Sequence, residues 1–162
     1  MADLANTLLH APGSLTPGER ELIAAHVSSL NDCEYCRDSH VAIAACHFGN
    51  DEASVRSAVE HPAQAVVSGK LKALLAIAAK VQQSGRRVSD ADVALARASG
   101  ATDLEIHDAV LIAAAFCMFN RYVDGLSAGT SDDPTNRRER ARLVAEQGYS
   151  VSLPQPQAPT KP

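Results

Sequence analysis

The sequence predicts an all-α fold, on three observations. Apolar residues recur at helical spacing from Thr16 to about Gln147, no stretch alternates apolar and polar with the period of a half-buried strand, and helix-start signals punctuate the chain. Of the 162 residues 46% are hydrophobic and 21% charged, which excludes disorder throughout and suits one globular domain that buries its own core. The signals add up to about six to seven helices.

Residues 1–14 read as an N-terminal arm. Thr16, Pro17 and Glu19 then supply an N-cap, a proline at the first helical position and an acid at the third. Leu22, Ile23, His26, Val27 and Leu30 form the apolar stripe of this first helix, which ends near Leu30. Asn31 and Asp32 are capping residues and Glu34 follows Asn31 by three, so a second helix is expected from about Asp32 to Phe48, where Gly49 stops it. A short helix from Asp51 to Val59 halts ahead of Pro62, because the residue before a proline leaves helical geometry. Pro62 to Ser68 form a loop. Leu71, Leu74, Leu75, Ala78 and Val81 mark the next helix, up to Gly85, and Ser89 with Asp92 opens another that Gly100 closes. Thr102 with Glu105 opens the longest helix, to about Leu126. Its middle is apolar on every side, so it either centres the bundle or is partly covered by another subunit. A last amphipathic helix runs from about Pro134 to Gln147. The helical domain thus covers 15–149, and the proline-rich segment 150–162 reads as a disordered tail.

A net charge of −4, with a single basic run of Arg137, Arg138, Arg140 and Arg142 among acids, provides no electrostatic footprint for nucleic acid or an anionic membrane. Met1 to Leu9 lacks a basic start followed by a long apolar run, so the four cysteines do not read as a secreted disulfide framework, and a reducing cytoplasm is expected. The longest apolar run, Ala109 to Phe119, is shorter than the ~20 residues that span a bilayer, and no membrane anchor is expected. No glycine-rich phosphate loop is present.

The chemistry concentrates in Cys33, Cys36 and His40, a CxxCxxxH motif in the predicted second helix. At about 100° per residue the three side chains share one face within about 60°. Three readings stand. A dithiol redox site needs two cysteines able to bridge, a proton carrier and a helix start, and all are present. Zinc needs a fourth ligand or an open position, and Cys46, about 220° round the same wheel, points away. The third reading is buried cysteines and a core histidine without function. The helix N-terminus favours thiolate at Cys33, the nearer of the two to the end. On the first helix Glu21, Ala24, Ala25 and Ser28 form a face of mostly small residues that lets the second helix approach. A tight turn between the helices would bring the Glu21 carboxylate to the thiols as a proton acceptor. On pattern alone, a solvated glutamate is the simpler reading.

The segment RELIAAHVSSLNDCEYCRDSHVAIAACHFGND, Arg20 to Asp51, places a glutamate twelve residues before the first cysteine and a histidine four after the second. Together with RVSDADVALARASGATDLEIHDAVLIAAAFCMFNRYVDGL, Arg87 to Leu126, it resembles the AhpD-like alkylhydroperoxidases of the carboxymuconolactone decarboxylase superfamily, in the single-domain peroxidase-related branch. Tyr35 stands where the best-studied branch has a histidine, as is typical of this one. The resemblance implies an AhpD-like helical bundle that assembles as a trimer, dimer or hexamer. It implies a peroxidase for hydrogen peroxide or organic hydroperoxides that needs no metal, haem or flavin. In the family mechanism Cys36 attacks the peroxide and Cys33 resolves the sulfenic acid into a disulfide. Glu21 and His40 relay the proton through a water, and a protein or small-molecule dithiol regenerates the pair.

Cys46 and Cys117 read as core residues, and His47, two turns beyond His40, as a packing or pocket-lining residue. His107, Asn120 and Arg121 could face the site or a subunit interface. Phe116, Met118 and Phe119 belong to the core or an interface, or line an apolar entry. The rival functions are a thiol-disulfide partner for another redox enzyme, a lactone decarboxylase, and a structural or zinc-binding helical protein.

Overall fold

A computed structural model describes residues 1–128 and 133–150. Within them eight α-helices form: α1 (Ala2–Leu9), α2 (Pro17–Leu30), α3 (Glu34–His47), α4 (Glu52–Glu60), α5 (Gly69–Gln83), α6 (Asp90–Ala98), α7 (Asp103–Gly125) and α8 (Pro134–Gln147). A 3₁₀ turn, Gly85–Arg87, follows α5, and no strand occurs among the described residues. The all-α expectation holds. Capping boxes start α2, α6 and α7 at the three places the sequence marked: Thr16 with Glu19, Ser89 with Asp92, and Thr102 with Glu105.

Two boundaries differ from expectation. The segment read as an arm contains α1, because Leu9 and, just beyond it, Leu15 have a core to enter and are fully buried. The second helix starts at Glu34, two residues later than expected. Asn31 caps the C-terminus of α2 instead, Asp32 takes a left-handed φ of 57°, and Cys33 becomes the N-cap of α3 with no side-chain cap bond. Reversing the chain between two packed helices in so few residues requires that positive φ, and aspartate tolerates it better than most residues.

The centre of the molecule is α2. Leu22, Ile23 and Val27 on one side and Ala24, Ala25 and Ser28 on the other are all fully buried, between α3, α4, α5 and α7. The apolar stripe read from the sequence is therefore only half of its buried surface. The small-residue face begins at Gly18, where an added Cβ would stand 2.8 Å from the His47 Cβ, so α3 crosses α2 closer than a side chain at this position would permit. α7 buries Ile112, Ala113, Phe116 and Phe119 and leaves Leu104, Leu111, Met118 and Tyr122 exposed. It is long and apolar enough to cross a membrane by length and composition, while its inward side packs against α2 and α5. α8 lies along α3, through Ala141 and Val144 against Ala42 and Ile43. The tail expected over 150–162 lies, from residue 151 onward, outside the described residues.

Candidate active site

The site forms where α2, α3 and the end of α8 meet. Glu21 projects from the middle of α2 and is only 2% exposed, so it is not the solvated glutamate that pattern alone favours. A buried carboxylate must find donors, and Glu21 has two. Its Oε2 lies 2.7 Å from Nδ1 of His40 on α3, and its Oε1 accepts from the Tyr149 hydroxyl at 2.6 Å. Tyr149 Oη is also 3.2 Å from His40 Nδ1. A carboxylate at Nδ1 fixes the tautomer, with the proton on Nδ1 and the lone pair on Nε2. Phe116 of α7 stacks its ring edgewise on the imidazole, centroids 4.7 Å apart, which locks the ring plane.

Cys36 stands one helical turn before His40 and Cys33 about two, at the N-cap, and the structure separates their environments. Cys36 is in the first turn of α3, where unpaired backbone N–H groups present the positive end of the helix. Its side chain lines a cavity of about 320 Å³ shared with Tyr35, His40, Ile43, Phe116, Phe119, Val144 and Tyr149. Cys33, at the N-cap, is 1% exposed and does not line that cavity. Burial pushes its thiol well above the ordinary range, and hydrogen bonds with the Cys36 thiol and the Asp124 carboxylate add to this. Both are free thiols. The expectation that the helix end acts on Cys33 first rested on placing it inside the helix, and the N-cap position removes that basis.

Around the pair, α8 is tied to α3 by polar contacts absent from the sequence reading. Asp38 accepts from Arg37 and Arg56, both at 2.9 Å, and from Arg137 at 3.4 Å; burial pushes its carboxyl up, but Arg37 and Arg56 together outweigh it and hold the carboxyl below the usual carboxylate range. Arg140 donates to the Tyr35 hydroxyl at 2.9 Å. Arg137 and Arg140 also line the cavity.

Other candidates resolve as follows. Cys46 donates to the Ala42 carbonyl on the far side of α3, and no group of three metal-ligating side chains occurs among the described residues. His47 packs its Cβ against Gly18 rather than lining the cavity, and burial holds its imidazole below the ordinary value. His107 is exposed, and Arg121 donates to the Cys117 carbonyl of its own helix. Asn120, 1% exposed, donates to Ser28 and accepts from Asn31, joining α7 to the last turn of α2 and its C-cap. Sequence reasoning missed Tyr149. Its signal was slight, a lone tyrosine after Gly148 where α8 stops.

The family model for the carboxymuconolactone decarboxylase family matches residues 1–80, a span that holds Glu21, Cys33, Cys36 and His40. Two solved structures are similar. An uncharacterized peroxidase-related protein from Silicibacter sp. TM1040 aligns with a TM-score of 0.72 at 27% identity, over 84% of this chain and 69% of its own. An alkylhydroperoxidase AhpD core, an uncharacterized peroxidase-related protein from Ralstonia eutropha JMP134, aligns with a TM-score of 0.72 at 27% identity, over 85% of this chain and 70% of its own. No curated protein matches. The matched family and the shared helical architecture make this chain an AhpD-like member of the carboxymuconolactone decarboxylase superfamily.

Proposed function

We propose that the protein is a thiol-dependent peroxidase in which Cys36 reduces a hydroperoxide and Cys33 resolves it. The observation that carries this reading is the placement of Cys36 on an apolar cavity, with the His40–Glu21 pair one turn away and a second thiol behind it. Nε2 of His40, oriented with its lone pair free by the Nδ1–H bond to Glu21, takes the Cys36 proton through a water. The thiolate sulfur attacks one peroxide oxygen and the O–O bond breaks. An alcohol or water leaves with the proton returned, and Cys36 becomes a sulfenic acid. Cys33 sulfur then displaces water from that sulfenic acid to form the disulfide. The Cys33 proton goes to the departing hydroxide, which leaves as that water, and Asp124, beside Cys33, passes it across. Two electrons from a dithiol reopen the bridge.

The cavity, about 320 Å³, holds about ten water volumes. Hydrogen peroxide would fill a small part of it, so an organic hydroperoxide with an apolar body fits better. Cys36 is 6% exposed, which favours a small oxidant over another protein's disulfide. The reductant is then a small dithiol, or one on a flexible arm, in a reducing compartment such as the cytoplasm. We also propose a homo-oligomer, from the exposed apolar face of α7.

The test is a titration of free thiols against hydrogen peroxide and tert-butyl hydroperoxide, with peptide mapping. Loss of two thiols per peroxide and a Cys33–Cys36 bridge is the expected result. Unreactive thiols in folded protein would overturn the proposal.

A further inference from the structure

A buried carboxylate–imidazole pair works as a base only while its carboxylate stays ionised and its ring stays aligned. His40 supplies one donor to Glu21, and on the other carboxylate oxygen the protein's donor is the Tyr149 hydroxyl, at 2.6 Å. Tyr149 comes from the end of α8, far from the residues matched by the family model. The way it is delivered points to more than packing. Gly148 turns the chain with a φ of 77°, and an added Cβ there would collide with Asn6 and His10, so the turn is pressed against α1 and its end. The same Asn6 accepts from the Tyr149 backbone N–H at 2.9 Å. Two elements, α1 and α8, thus converge to aim one hydroxyl at one carboxylate oxygen.

We propose that Tyr149 is a positioning residue for this site: its hydroxyl holds the Glu21–His40 pair ionised and aligned, and so sets the pH range in which Cys36 is activated. The inference rests on the peroxidase reading for the reaction that the pair serves. Burial, the Glu21 charge and the bond to Glu21 all keep the phenol protonated, so it remains a donor across the working range. The titratable groups set against Glu21 are His40 and His47 from α3 and Tyr149 from the end of α8, with His10, after α1, facing His47. α7 presents the uncharged Phe116 to the imidazole. Because the hydroxyl donates to the charged form of the carboxylate, its loss lets the pair take up a proton at higher pH.

The experiment follows two rates against pH in the full-length protein: alkylation of Cys36 by iodoacetamide, located by peptide mapping, and oxidation by tert-butyl hydroperoxide. Tyr149→Phe keeps the ring and removes only the hydroxyl. It should move the acid limb of both profiles upward by about one pH unit. In Glu21→Gln the contribution of the pair should be lost, leaving the limb set by the Cys36 thiol's own ionisation, and adding Tyr149→Phe should shift nothing further. A Tyr149→Phe profile that superimposes on the wild type, or the same shift in the Glu21→Gln background, would overturn the proposal. Should peroxide leave both thiols intact in the wild type, the peroxidase reading fails by itself, and the alkylation profile still decides the role of Tyr149.

Discussion

Cys33 and Cys36 are three positions apart, yet one is an N-cap sealed in the interior and the other a first-turn residue on a cavity. That asymmetry assigns them different tasks under the proposed function. Cys36→Ser should abolish peroxide consumption. Cys33→Ser should leave one turnover and a sulfenic acid on Cys36, detectable by trapping with a dimedone probe, and the opposite pattern would reverse the assignment. Asn120 shows a contrasting use of a buried polar group. Its amide bonds Ser28 and Asn31 rather than either thiol, so Asn120→Ala should cost about 1–3 kcal/mol of stability through its unpaired partners. Urea unfolding should show the loss, while the Cys36 alkylation rate stays near wild type.

At the scale of elements, the site depends on how closely two helices approach. Glu21 reaches His40 because α2 presents Gly18 where α3 crosses, and the missing side chain lets the backbones come together. Gly18→Ala pushes a methyl group into the His47 Cβ. It is expected to destabilise the fold by about 1–3 kcal/mol, read by thermal or urea unfolding, and to slow Cys36 alkylation by separating the carboxylate from the imidazole. The α2–α3 pairing was legible in the sequence, since the small-residue face, the tight turn and the motif all lie within Arg20 to Asp51. The contribution of α8 was not. Its amphipathic pattern announced a helix, but the partners of Arg137, Arg140 and Tyr149 are on α2 and α3, about a hundred residues away in the chain, and no local spacing records them.

For the whole molecule, the longest helix carries an unfinished surface. Leu104, Leu111, Met118 and Tyr122 lie within about 40° of one another on α7, and each is 44% to 56% exposed. An apolar stripe of that length on a helix is what an interface between copies requires. If the proposed homo-oligomer forms through this stripe, Met118→Glu lowers the mass seen in light scattering while leaving helical circular dichroism unchanged. An unchanged mass would place the interface elsewhere.

By itself the sequence determined the helical class, the capped starts of α2, α6 and α7, and the grouping of Cys33, Cys36 and His40, because helical periodicity and capping act within a few residues. Only the tertiary structure decided that α1 forms, that α2 is buried on both sides, and that Glu21 is sealed in with His40 and Tyr149. Burial, and the polar partners it compels, depend on chain segments distant in sequence, and a linear pattern holds no measure of which segments will meet.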